Sequence, residues 1–111
     1  MTTKYTFFMH LNATRHWLQL TRKQRSEYFT DTLSGILHKY EQVSVRLFDV
    51  EAFSAKCSDI VVFETANLRQ YCFLIDALRD SKMYTEPYFD VVDIIPAVED
   101  GFLLYEASLS L

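Results

Sequence analysis

The sequence predicts an α+β domain in which a four-stranded antiparallel sheet carries two helices on one face. Two observations predict it: hydrophobic period switches repeatedly between two and about 3.6, and the segments follow the order β-α-β-β-α-β. The composition agrees, since half of the 111 residues are hydrophobic, 15% are aromatic, and only two glycines and two prolines are present. That is one core's worth of chain, residues 1–111 as a single domain, with few and short loops.

The first strand spans Tyr5–Asn12. Tyr5, Phe7, Met9 and Leu11 fall on one face, and Thr6, Phe8, His10 and Asn12 on the other. Ala13–Leu20 is a connection that carries the single tryptophan, Trp17. Thr21 followed by Gln24 has the spacing of a capping box. The helix it opens bears Phe29, Leu33, Ile36, Leu37 and Tyr40 as one apolar stripe. Val43–Val50 alternates as a second strand, and Glu51–Ser58 is a turn or short irregular segment. Asp59–Thr65 is short, β-branched and nearly continuously apolar, as a central strand is. Asn67 and Gln70 cap a second helix with the stripe Tyr71, Leu74, Ile75 and Leu78. Pro87 marks a loop, and Phe89–Ile95 is a fourth strand that ends near Pro96. Beyond Gly101, residues 102–111 suit either a short third helix or an extended arm.

This order is that of the ferredoxin-like split βαβ unit, with strand order 4-1-3-2 and both helices on one face. The other face does not alternate into polar residues. Phe8, Phe48, Ile60 and Val62 are expected there, together with Val92 and Ile94. An apolar patch of that size needs a cover. A second copy stacked by a two-fold axis supplies one, so the expected assembly is a homodimer of the dimeric α/β barrel type.

The net charge of -4 argues against a nucleic-acid partner, which needs a cationic surface. No segment approaches the length of a membrane span, and the apolar run near the N-terminus is interrupted by Thr6 and His10, unlike a signal peptide. Cys57 and Cys72 form no CxxC pair and read as reduced thiols, so the expected location is the cytoplasm. His10, His16 and His38 have no metal-ligand spacing, and glycine-rich phosphate loops, GxSxG and dinucleotide fingerprints are missing. No metal and no cofactor is therefore expected. Haem bound through His10 or His16 is demanded by no feature of the sequence.

Period two sets His10, Asn12, Arg46 and Glu64 on the same face as the uncovered apolar residues. On a functional reading, Phe8 and Phe48 wall a pocket on that face, with Trp17 as its lid. Asn12 and Glu64 orient a bound group, His10 accepts a proton, and Arg46 stabilises developing negative charge. On a structural reading, Arg46 and Glu64 are an ion pair at the dimer interface, His10 is an ordinary polar residue and Trp17 is a core plug. Asp49 and Glu51 read as a solvated acidic pair in a turn. Asp93, a charge in an apolar strand, suits an edge or a dimer contact.

The strings YTFFMHLNATRHWL, VSVRLFDVEAFSAKCSDIVVFET and LIDALRDSKMYTEPYFDVVDIIPAVEDGF resemble the darcynin family over nearly the whole chain. The resemblance implies a small soluble bacterial protein and carries over no activity, cofactor or catalytic residue. Two functions stay open at this point. One is a homodimer that binds a small, partly aromatic or anionic molecule in a sheet-face pocket, with enzymatic activity undecided. The other is an interaction protein whose apolar face serves only dimerisation.

Overall fold

The computed structural model describes residues 2–110. Four strands, β1 (Tyr5–Ala13), β2 (Ser44–Asp49), β3 (Asp59–Thr65) and β4 (Phe89–Ala97), form one antiparallel sheet in the order β2-β3-β1-β4. This is the expected ferredoxin-like arrangement, with the first and third strands at the centre.

After β1 comes a single helical turn, α1 (Arg15–Leu18), where the sequence suggested only a connection. The first long helix is a rod in three parts: α2 (Arg22–Tyr28), a π-helical turn (Phe29–Leu33) and α3 (Ser34–Lys39). Its capping box is complete. The Thr21 hydroxyl accepts from the Gln24 N–H at 3.1 Å, and the Gln24 side chain accepts from the Thr21 N–H at 2.8 Å. The second long helix, α4 (Leu68–Arg79), begins on Asn67, whose side chain accepts from the Gln70 N–H. Here the reciprocal half of the box is replaced: the Asn67 N–H donates to the Thr65 hydroxyl at 2.9 Å. A further turn, α5 (Lys82–Thr85), leads into β4. Residues Phe102–Ser108 are helical (α6), which decides between the two expected forms; Leu111 of that segment lies outside the described residues. Phe102, Leu103, Leu104 and Tyr105 of α6 are all exposed.

The core lies between the sheet and the helices. Met9, Leu11, Val61 and Phe63 from the central strands meet Leu74 and Leu78 of α4, Met83 of α5 and Val43. Leu33, Ile36, Leu37 and Tyr40 pack around them, and Phe7 stacks on Tyr71 with ring centroids 3.8 Å apart. Burial pushes the Tyr71 hydroxyl up to about 12.

Two expectations about β4 need correction. The strand runs through Pro96 to Ala97, with Pro96 opposite Phe7. β4 is an edge strand, and there a missing N–H can point away from the ladder. The second correction concerns the uncovered face. The β1–β4 register shifts between His10 and Leu11: Asp93 pairs with His10 and Val91 with Leu11, so Val92 is an extra, bulged residue. Side-chain parity therefore reverses along β4. Ile94 stands opposite Met9 and packs on the core, while Ile95 stands opposite Phe8 on the uncovered face.

Candidate functional site: an apolar cavity with an acidic mouth

The first helical rod rests on its neighbours at both ends: α3 contacts α4, and the Tyr28 hydroxyl of α2 accepts from the Met83 N–H of α5 at 3.0 Å. The space left between the rod and the sheet is a cavity of about 240 Å³. Its floor is Leu11, Val45, Leu47, Val61 and Phe63 of the sheet, bordered by the strand segments at Phe48 and Ile60, whose side chains belong to the other face. Its roof is Phe29, Leu33 and Leu37, which come from the π-helical turn and α3. Leu78, Met83, Trp17 and Phe89 close the remaining sides. A π-helical turn re-aims side chains relative to a regular helix, and here it presents Phe29 and Leu33 to the cavity.

Trp17 is a fixed part of that wall. The Thr14 hydroxyl caps α1 by accepting from the Trp17 N–H, and it lies 2.6 Å from the Pro87 carbonyl. The Thr14 N–H donates to the Tyr88 carbonyl at 3.0 Å. The indole meets Phe89 at 5.0 Å, Tyr88 at 5.3 Å and Tyr28 at 5.9 Å between centroids. Arg25 covers the ring at 5.9 Å and donates to the carbonyls of Trp17 and Leu18. The residue read as a lid is thus at once a cavity wall and the centre of an aromatic cluster.

Only two polar residues line the cavity, Asp49 and Asp59. They are partners at the last register position of the β2–β3 ladder. The loop between them closes on itself through the Val50 N–H, which donates to the Ser58 carbonyl at 2.9 Å. That closure brings in Glu51, and one oxygen of each of the three carboxylates lies within 4.8 Å of the others. Burial is the main reason the Asp59 carboxyl sits above the usual range; the nearby Asp49 and Glu51 charges raise it further, against the lowering effect of the Ser58 hydroxyl at 2.6 Å.

The other residues singled out in the sequence lie on the far side of the sheet. Arg46 Nη2 is 3.0 Å from Glu64 Oε1, and Lys4 approaches the same carboxylate at 4.0 Å. The Arg46 guanidinium also lies 5.8 Å from the Phe48 ring. His10 belongs to the next rung, between Ile60 and Asp93, while Arg46 shares a rung with Val62, Phe8 and Ile95. Asn12 is further along and donates to the Lys56 carbonyl at 3.3 Å. Arg46 and Glu64 are brought together; His10 and Asn12 do not join them. Of the residues expected to hold a ligand, Trp17 lines the cavity; Phe48 borders it from β2 with its ring turned to Arg46 on the other face, and the cavity itself lies under the helices rather than on the uncovered face. Leu33 and Leu37 pack against the core and Asp49 and Glu51 are exposed, as sequence reasoning had them; what it missed is that Leu33, Leu37 and Asp49 also border a cavity. Counting the β2–β3 register would have paired Asp49 with Asp59.

The model of the darcynin family, described as a domain of unknown function, matches residues 1–107. The chain belongs to the darcynin family. Darcynin 1 of Acinetobacter baumannii is 53% identical over 90 residues, covering 81% of this chain and all of the relative. The darcynin of Chromobacterium violaceum is 59% identical over 78 residues, covering 70% of this chain and 99% of the relative. Among solved structures, a protein from Thermus thermophilus described as a novel heme-binding protein superposes with a TM-score of 0.78 at 17% identity, over 100% of this chain and 46% of that one. A chlorite dismutase from Candidatus Nitrospira defluvii gives 0.73 at 11% identity, over 88% and 40%. This darcynin therefore spans less than half the length of those two solved chains, and the likeness to them is one of fold. No helix among its described residues is long and apolar enough to cross a membrane.

The lining does not fit a haem. It contains no histidine, cysteine or tyrosine to ligate iron, and its only charges are carboxylates that oppose the anionic propionates. His10 is on the opposite face of the sheet, and His16 lies 3.6 Å from Glu86 on the surface.

Proposed function

We propose that this darcynin is a small-molecule-binding protein that works as a homodimer. The observation that carries the reading is the cavity: about 240 Å³, walled by aliphatic and aromatic side chains. Leaving an apolar cavity unfilled is unfavourable by ~24 cal/mol for each Å³, and water gains little from such walls. An apolar, partly aromatic molecule matches them. The volume is below the ~300 Å³ at which ordinary ligand pockets begin, so the molecule is small. In this reading Trp17 contacts the ligand, while the Phe48 ring belongs to the uncovered face. The carboxylates at the mouth disfavour an anionic one.

The second copy covers the uncovered sheet face. Phe8 is 37% exposed, Phe48 and Ile95 45% each, and Val92 48%. Such a patch on one face of a sheet supports association. Two copies of this chain also reach the length of the solved neighbours, whose chains are more than twice as long as the region they share with it. Here the Arg46–Glu64 pair and His10 lie at the seam between copies. Asn12 and Phe8 belong to the same seam.

Native mass spectrometry of protein purified from its own host tests both parts. The expected result is a dimer that carries a co-purifying small molecule released on denaturation. A bare monomer would refute the reading. A dimer that never carries or takes up a small molecule would leave the interaction role alone.

A further inference from the structure

We infer that the molecule held in the cavity carries a cationic head, such as a protonated amine, seated between Asp49 and Asp59 with its apolar body under the helical rod. This inference rests on the small-molecule reading above and names its ligand class.

Polarity in the cavity is confined to one end. Both polar lining residues there are carboxylates, and Glu51 brings a third oxygen to within 4.8 Å of theirs. The ion pairs among the described residues engage Glu27, Glu64 and Glu86, and none reaches this trio. Three like charges are thus gathered where an apolar space opens, with no lysine or arginine among the described residues within ion-pair distance. A ligand with an anionic head meets repulsion at that mouth. A wholly apolar ligand leaves the partly buried Asp59 carboxylate without a counter-charge. A cation at the end of an apolar body satisfies both regions at once, because charge and hydrophobic contact are then matched along the same molecule.

The probes are octylammonium, octanol, octanoate and methylammonium, titrated calorimetrically into the full chain at neutral pH. Octylammonium is expected to bind about tenfold tighter than octanol, with octanoate weaker still and methylammonium not detected. In Asp49→Asn/Asp59→Asn the ratio of octylammonium to octanol affinity is expected to fall to about one. Glu51→Gln serves as the milder variant and lowers the ratio in part, with far-ultraviolet dichroism checking the fold of both. Octanol binding as tightly as octylammonium, or octanoate binding tighter, overturns the cationic head while the cavity reading stands. Methylammonium binding as well as octylammonium overturns the role of the apolar body. Binding of none of the four overturns this inference and the small-molecule reading together.

Discussion

Asp49 and Asp59 face each other across the last rung of the β2–β3 ladder, and both line the mouth of the cavity. Two carboxylates in register at a partly buried strand end repel, and among the described residues the hydrogen-bond donor to the Asp59 carboxylate is the Ser58 hydroxyl.

Replacing Asp59 by asparagine is expected to stabilise the protein at pH 7. The folded state raises the pKa of Asp59, so the folded chain binds the proton more tightly than the unfolded chain. Above the folded pKa the ionised group opposes folding. That opposition fades as pH falls through the folded pKa and is gone below the unfolded value of about 3.9. Asp59→Asn should raise the melting temperature by a few degrees at pH 7, and the gain should vanish near pH 3.5. A loss of stability at pH 7 would show that the carboxylate is compensated by something else.

Trp17→Ala removes a wall shared by the cavity and the aromatic cluster. Truncating a large buried aromatic costs about 3–5 kcal/mol, and the half-buried position of Trp17 puts the expected loss just below that range, at about 2–3 kcal/mol. Trp17→Phe should cost about half as much, since ring contacts with Phe89 and Tyr88 persist. Urea unfolding followed by circular dichroism gives both values without relying on tryptophan emission.

Phe8 projects from the face that the helices leave bare, and it is not part of the core. Phe8→Asp is therefore expected to convert a dimer to a folded monomer at micromolar concentration. Sedimentation velocity measures this, with unchanged far-ultraviolet dichroism as the control. A variant that stays dimeric would move the interface elsewhere.

The Arg46–Glu64 pair tests the same proposed seam. As a solvent-facing pair it is worth less than ~1 kcal/mol, and that is the loss expected for Arg46→Ala in the monomeric Phe8→Asp background. Covered by a second copy, Glu64 would be left buried without its partner, and the loss is expected to exceed ~2 kcal/mol. Denaturant titration of the two variants and their parents makes the comparison, and equal losses would mean that Arg46 stays in water.

Much of the fold was legible because local signals agreed with the global arrangement. The Asp59–Thr65 strand, the Thr21–Gln24 capping box and the strand order all appear as the sequence predicts. The bulge at Val92 was not legible, because nothing in FDVVDII distinguishes an extra residue from a regular alternation; its effect was to exchange the faces of Ile94 and Ile95. The cavity escaped for a related reason. Leu33 and Leu37 give the same helical stripe whether they press on the sheet or stand off it, and the standoff is a tertiary property of the rod. His10 and Arg46 share a face by period two, but register puts them on different rungs and strands.

The central claim is an apolar cavity between the helical rod and the sheet that accepts a molecule. Xenon binds such spaces without needing any polar contact. Crystals of the protein pressurised with xenon are predicted to show a xenon peak among Leu33, Leu37, Val61 and Phe63. Crystals that bind no xenon there, with those side chains closed onto one another, would contradict the account.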